Sequence, residues 1–428
     1  MAKRIAKTPT PASTAGPVPF FGQPQPLPDP AAFRTPHASD DAAYKILDQE
    51  AKTLKPIPFQ PSRGGTEPVL NLQEVYGSQG AAIVKAITQS KQIVFHALGD
   101  TGNTRSVKAQ NEVTDKLAAD FQERSPGMAP SFLFHLGDVV YSFGESKYYY
   151  DQFYEPYRNY QRPIIAIAGN HDGMVAPGSN TPTLQAFLDN FCASSPQQTP
   201  DAGGLDRTAM IQPGVYYTLQ APFVRILALY SNTLEDPGVI SSQGKTYPDM
   251  PDVQLDFLKA ALKRIGAEKF AGAVIIALHH PPYAFGKHGG SPLMLQQIDA
   301  ICKSTGIWPH AVLSGHAHSY QRYTRVTGKM EIPYIISGNG GHGLTPLARQ
   351  GDPTVRAPAA LSTASGVTLE NYDDQGYGYL RVIVNAQQLR IEYHPADDGG
   401  TAKTPDDSVT VNLKDRTLAH YKAAAAGA

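Results

Sequence analysis

SFLFHLGDVVY, residues 131–141, is a short apolar run that stops abruptly at a glycine, an aspartate and, three positions later, a tyrosine. Six residues of this kind suit a buried β-strand, and the glycine lets the chain turn sharply at its end. The same grammar recurs along the chain in IVFHALGDTG (93–102), PIIAIAGNHD (163–172), AVIIALHHPPY (273–283) and HAVLSGHAH (310–318). Between these runs lie helical patterns at Val107–Arg124, Ser146–Tyr160, Thr183–Phe191, Asp252–Arg264 and Pro292–Ser304. Strands alternating with helices predict a layered α/β fold. Later segments (VYYTLQ, VRILALY, YGYLRVIVN, QLRIEYHP and SVTVNL) read as sequential antiparallel strands, expected to form a second sheet packed on the first.

Outward from this region the chain is simpler. Residues 1–38 are rich in proline, alanine and threonine and read as an arm, with Phe20, Phe21 and Phe33 as anchors that dock it on the domain. Residues 39–90 read as a helical extension, one helix from Asp40 to about Lys55 and another from about Leu72 to Ser90. Residues 91–428 then form one catalytic domain. The 428 residues carry a net charge of −1, which gives no global attraction for nucleic acid or an anionic membrane. No segment approaches the roughly 20 apolar residues of a membrane span. MAKRIAKTPTPASTAG has no apolar stretch of the kind a secretory signal needs, so the default expectation is the cytoplasm. Cys192 and Cys302 are too few for a thiolate metal site and read as buried thiols.

The five turns hold the chemistry. Each carries Asp, Asn or His directly after a strand, where ligands bind in open α/β sheets. Should their strands be neighbours, Asp100 and Asp138 converge, and two buried carboxylates without a cation repel one another. Arg105 and Lys147 are the only close cationic candidates. The remaining polar side chains are imidazoles, an amide and a phenol, which are metal ligands rather than counter-ions. A mixed oxygen and nitrogen set suits Zn, Mn or Fe and not a purely hard-ion Ca or Mg site.

The ordered set GDxG, GDxxY, GNHD, HxP and GHxH resembles the calcineurin-like metallophosphoesterases, especially their purple acid phosphatase branch. In the broad family the first motif ends in a ligating histidine; here that place is Gly102. In the purple acid phosphatases a tyrosine three residues after the second aspartate replaces it, and Tyr141 stands there. The resemblance implies a four-layer sandwich of two mixed β-sheets flanked by helices. It implies Asp100, Asp138, Tyr141 and His318 around one metal ion, and Asp138, Asn170, His279 and His316 around a second, with Asp138 bridging. His280 falls where the family has a non-ligand. A phenol with a reference pKa near 10 binds as phenolate only to a strong Lewis acid, which favours Fe(III) with a divalent partner (Fe, Zn or Mn). Two divalent ions would leave Tyr141 protonated. The implied reaction is hydrolysis of small-molecule phosphate monoesters by a metal-activated hydroxide. His171 would protonate the leaving alkoxide, and Asp172 would orient that imidazole. His288 sits where such enzymes place a phosphate-contacting histidine; a solvent-exposed loop histidine is the competing reading. The alternatives are a phosphodiesterase acting on nucleotides or lipid head groups, and a non-catalytic binding protein that keeps the fold. His96 and His135 read as satisfied core residues and His342 as a turn residue, with a place on the rim of the pocket as its alternative.

Overall fold

The computed structural model describes residues 17–23, 45, 49, 55–104, 106–122, 127–244, 246–348, 354–396 and 404–422. The apolar runs are strands, as expected: β2 (Gln92–Leu98), β3 (Leu133–His135), β4 (Ile164–Ala166), β7 (Ala273–Ala277) and β8 (Ala311–Ser314). Every residue in them is buried, so their near-continuous hydrophobicity reflects coverage on both faces.

Their partners differ from the expectation. β2, β3 and β4 run parallel, and β13 (Gly378–Asn385) lies antiparallel on the free side of β2, with Val382 opposite Phe95. β14 (Gln388–Pro395) and β15 (Asp407–Asn412) follow outward, completing a six-stranded sheet. The C-terminal strands therefore extend the first sheet instead of building the second. β7 and β8 belong to a nine-stranded sheet that begins with β1 (Val69–Asn71), β5 (Tyr217–Ala221) and β6 (Val224–Ala228). It continues past β8 through β10 (Met330–Ser337), β9 (Tyr320–Thr327), β12 (Val367–Asp373) and β11 (Ala359–Ala360). Period-2 patterning encodes which face of a strand is buried and leaves open which strand lies beside it. β1 also brings the extension before residue 90 into this sheet, where the sequence showed no strand.

The helices include α1 (Gly80–Gln89), α2 (Lys108–Ala119), α3 (Gln185–Phe191), α4 (Val253–Ala267) and α5 (Pro292–Thr305). Two mixed sheets flanked by helices are the architecture expected. The pattern over 146–160 does not give a continuous α-helix. A 3-10 turn, Ser146–Tyr148, passes into a π-helical turn, Tyr150–Tyr154. Tyr149, Phe153, Tyr154, Tyr157 and Tyr160 are all buried, and so are Asp151 and Gln152, leaving no polar face for an amphipathic helix. The helix expected over Leu72–Ser90 is broken at Tyr76–Gln79. The one expected from Asp40 falls almost wholly outside the described residues, as does Phe33. Of the arm, Phe21 pairs with Arg207 and packs edge-on to Tyr76 at 5.3 Å, whereas Phe20 is exposed. Cys192 and Cys302 are both free and buried. No described helix is long and apolar enough to cross a membrane.

Candidate metal centre

The two sheets meet where their parallel strands end. Asp100, Asp138 and Asn170 follow β2, β3 and β4 of one sheet; His279 and His316 follow β7 and β8 of the other. Asp100, Asp138 and His316 each sit in left-handed backbone, at φ 57°, 53° and 69°. L-residues rarely adopt that region, and such strain gathers where surrounding structure fixes a functional geometry. The glycines beside them serve a different need. A Cβ on Gly169 would collide with the Asp138 carboxylate, and one on Gly315 would press on Asp100 Oδ2. Gly169→Ala is therefore expected to push Asp138 aside and cut bound metal well below the wild-type content while the protein still folds. Metal analysis alongside a thermal melt checks this, and full metal content would refute it.

Seven side chains from these loops assemble as two groups. Tyr141 Oη lies 3.0 Å from Asp100 Oδ1 and 3.3 Å from His318 Nε2, and that nitrogen is 3.5 Å from Asp100 Oδ1. Asn170 Oδ1 lies 3.1 Å from both His279 Nε2 and His316 Nδ1. Asp138 joins the groups: ligand atoms of Asp100, Asp138 and His279 lie within 4.8 Å of one another, Asp138 Oδ2 is 3.3 Å from His279 Nε2, and its Oδ1 accepts the backbone N–H of His171 at 2.9 Å. Backbone carbonyls fix two of the rings. His279 Nδ1 donates to Leu136 at 2.8 Å and His318 Nδ1 to Gly343 at 3.0 Å, so both rings direct Nε2 inward.

Asp138 Oδ2 and His316 Nε2 are buried with no hydrogen-bond partner, which is rare for polar atoms unless another group completes them. The titration behaviour points the same way. Burial raises the Asp100 carboxyl well above the usual range; nearby Asp138 adds to this and His279 works against it. Burial opposes ionisation of Asp138 too, yet His279 and His171 hold it below the usual range. The His279 imidazole meets an opposing burial effect, but Asp138 and Asp100 lift it to about 10. Burial, then the same two carboxylates, holds Tyr141 protonated well past its ordinary range. Without cations, the proton held on His279 offsets the charge of Asp138. The donor atoms fit divalent or trivalent ions of the borderline class.

Several neighbours carry functions the sequence did not disclose. Asp172 does not touch the His171 ring. Its carboxylate accepts the backbone N–H groups of Gly169 (2.8 Å), Val139 (3.0 Å) and Val140 (3.3 Å), stapling the β3 and β4 loops together. The His171 imidazole is oriented instead by the Ser142 carbonyl, 2.6 Å from Nδ1. Gln152 brackets Tyr141, accepting from its N–H at 3.0 Å and donating to its carbonyl at 2.8 Å. Its carboxamide fills the space a side chain at position 102 would need, so glycine there and tyrosine at 141 are two parts of one arrangement. His342 is more than a turn residue. It stacks on Tyr141 at 3.7 Å, opposite His171 at 4.4 Å, and its Nδ1 donates to Gly102.

Three further described histidines have both ring nitrogens engaged. His280 contacts Ser231 Oγ at 2.7 Å and the Leu234 carbonyl at 2.8 Å. His96 lies on Asp120 and Tyr160, and His135 on Thr101 and the Gly137 N–H. His288 is buried beside His316, so it is no exposed loop residue. Lys147 turns to Glu145 at 2.8 Å and compensates neither aspartate; Arg105 lies outside the described residues.

Fold and site together define a protein of the metallohydrolase class. The family model for calcineurin-like phosphoesterases matches residues 93–320, more than half of the sequence, and the chain belongs to that family of metal-dependent phosphoester hydrolases. A purple acid phosphatase from yellow lupin (Lupinus luteus) seeds superposes with a TM-score of 0.52 at 15% identity, covering 75% of this chain and 54% of the lupin chain. The protein thus spans about half the length of that enzyme. The anchor protein of the Plasmodium inner membrane complex superposes with a TM-score of 0.51 at 12% identity, covering 76% of this chain and 91% of that one. At such identities both likenesses are of fold. No curated protein matches the chain by sequence.

Proposed function

We propose that the protein hydrolyses small-molecule phosphate monoesters at a binuclear centre of the purple acid phosphatase kind. One observation carries this reading: Asp138 lies between a group of Asp100, Tyr141 and His318 and a group of Asn170, His279 and His316. Asp100, Asp138, Tyr141 and His318 would hold one ion, and Asp138, Asn170, His279 and His316 the other. Bound there, the ions would supply Lewis-acid charge for the phosphate and make a water nucleophilic near neutral pH. Tyr141 supports Fe(III) as one of them, because burial and then the carboxylates around the phenol oppose its ionisation, and only a strong Lewis acid overcomes both.

The protein's own groups do the rest. His171 keeps Nδ1 on the Ser142 carbonyl, which frees Nε2 to carry a proton to the departing alkoxide. Its backbone N–H steadies Asp138, so proton donor and bridging ligand are set by a single residue. The Tyr141 ring is held mainly by the stack with His342, with the His171 ring also beside it. His288 would meet a substrate oxygen beside His316.

The test is a comparison of mono-aryl and bis-aryl phosphates on metal-loaded protein. Faster turnover of the monoester is expected; the reverse preference would make the protein a phosphodiesterase, and turnover of neither would leave it a binding protein. Tyr141→Phe should abolish any visible charge-transfer band of the iron-loaded protein, and persistence of the band would remove Tyr141 as ligand.

Metal uptake should depend on pH. With its acidity shifted to about 10 by Asp138 and Asp100 against burial, His279 is protonated at neutral pH in the metal-free protein, and an ion on Nε2 displaces that proton. Affinity is expected to rise about tenfold per pH unit for each proton displaced. Calorimetric titration between about pH 6 and 8, in buffers of different ionisation enthalpy, measures both slope and proton release. A flat profile would contradict the assignment of His279.

A further inference from the structure

Asp236 belongs to none of the five motif turns, yet its carboxylate straddles two of the site's histidines. Oδ1 is 3.6 Å from His316 Nε2 and Oδ2 is 3.4 Å from His288 Nδ1, and the two rings lie 4.3 Å apart. The loop that carries it is fastened just ahead of it. The Leu234 carbonyl accepts from His280 Nε2 at 2.8 Å, and Glu235 pairs with Lys287 at 3.6 Å. Asp236 thus reaches the metal centre from a segment anchored to the loop that follows β7.

An imidazole that gives one nitrogen to a cation carries its proton on the other, and that N–H needs an acceptor to fix the ring. The acceptor for His279 is the Leu136 carbonyl, and for His318 it is the Gly343 carbonyl. His316 directs Nδ1 toward Asn170 Oδ1, and its buried Nε2 has no hydrogen bond. The group facing that nitrogen is Asp236.

We infer that Asp236 is the positioning residue of the second half-site, its carboxylate accepting the Nε2 proton of His316 and holding His288 toward the substrate through its other oxygen. Of the three metal-facing rings, His316 alone is backed by a full negative charge, which raises the basicity of its Nδ1 and strengthens the hold on one ion. The inference rests on the reading of His316 as a ligand.

The test uses full-length protein and Zn(II) or Mn(II) alone, with affinities measured by chelator competition. Asp236 is about one-third exposed, at 34%, so Asp236→Asn removes the charge without emptying a core. Asp236→Asn is expected to bind as many ions as the wild type at excess metal, with the weaker-bound ion losing about 10–100-fold in affinity and the other unchanged. Asp236→Glu, which restores a carboxylate, should recover part of that loss. His316→Ala should lose one ion outright. Unaltered affinities in Asp236→Asn, with an ion missing from His316→Ala, would overturn the inference and leave the ligand reading intact. Full metal content in His316→Ala would overturn the ligand reading itself. Disappearance of a whole ion from Asp236→Asn would also overturn the inference, because Asp236 would then be a ligand among Asp236, His288 and His316.

Discussion

Asp138→Asn is expected to abolish the binuclear centre while leaving the fold in place. The variant keeps the shape of the side chain, and asparagine accepts the left-handed backbone of this position, φ 53°, as readily as aspartate does. What changes is charge and lone pairs. Asp138 Oδ2 has no hydrogen bond and faces His279 Nε2 at 3.3 Å, so it is the atom with free capacity between the two groups. An amide there turns either an N–H₂ or a weaker neutral oxygen toward the cations. Both half-sites lose a shared anion at once. Metal content should fall below one ion per chain at metal concentrations that saturate the wild type. Turnover should fall by on the order of 10³-fold, the equivalent of several kcal/mol of lost charge stabilisation. Metal analysis of the purified variant with a steady-state assay tests both. Retention of both ions would show that Asp138 does not bridge, and the proposed centre would have to be redrawn.

A second large effect is expected from His171→Ala, with the opposite signature. The ring makes no contact that holds an inferred ligand's donor atom: its Nδ1 goes to the Ser142 carbonyl, and the bond to Asp138 comes from the backbone, which alanine retains. Metal content should therefore match the wild type. General acid catalysis contributes typically 10²–10⁴-fold, and kcat should drop by about that much on alkyl phosphates, whose leaving alkoxide needs a proton. Nitrophenyl phosphate leaves as a stable anion and should suffer far less. An equal loss on both substrates would assign His171 to positioning rather than proton transfer.

The leaving-group contrast also bears on Asp172. Since its carboxylate binds the N–H groups of Gly169, Val139 and Val140 and not the imidazole, Asp172→Asn should disturb the two loops together. Burial and then the charge of Asp138 raise the Asp172 carboxyl to about 7, so the fold favours its protonated form, and stability from this group is fully present below the ordinary carboxylate range and is lost as the pH rises through about 7. That sign is opposite to the metal-uptake effect of a protonated base, where acid competes with the cation directly.

Sequence by itself determined the strands that end at the site and the identity of the side chains at their tips. Five apolar runs, each closed by Asp, Asn or His, suffice because burial writes itself into local composition, and a metal site needs donors at a turn whatever lies beside it. It also determined the exchange of a histidine at 102 for a tyrosine at 141. Only the tertiary structure decided how the strands are neighboured: β13–β15 joined β2, and β1 joined β5, because edge-to-edge pairing is chosen across hundreds of residues by backbone hydrogen bonds that leave no local mark. The same holds for the supporting side chains. His342 and Asp236 lie in loops without periodicity and Gln152 in a stretch whose spacing reads only as helix, and their function comes from where the folded chain sets them against Tyr141 and His316. A ligand's identity is a property of its residue, but the partner that holds it still is a property of the fold.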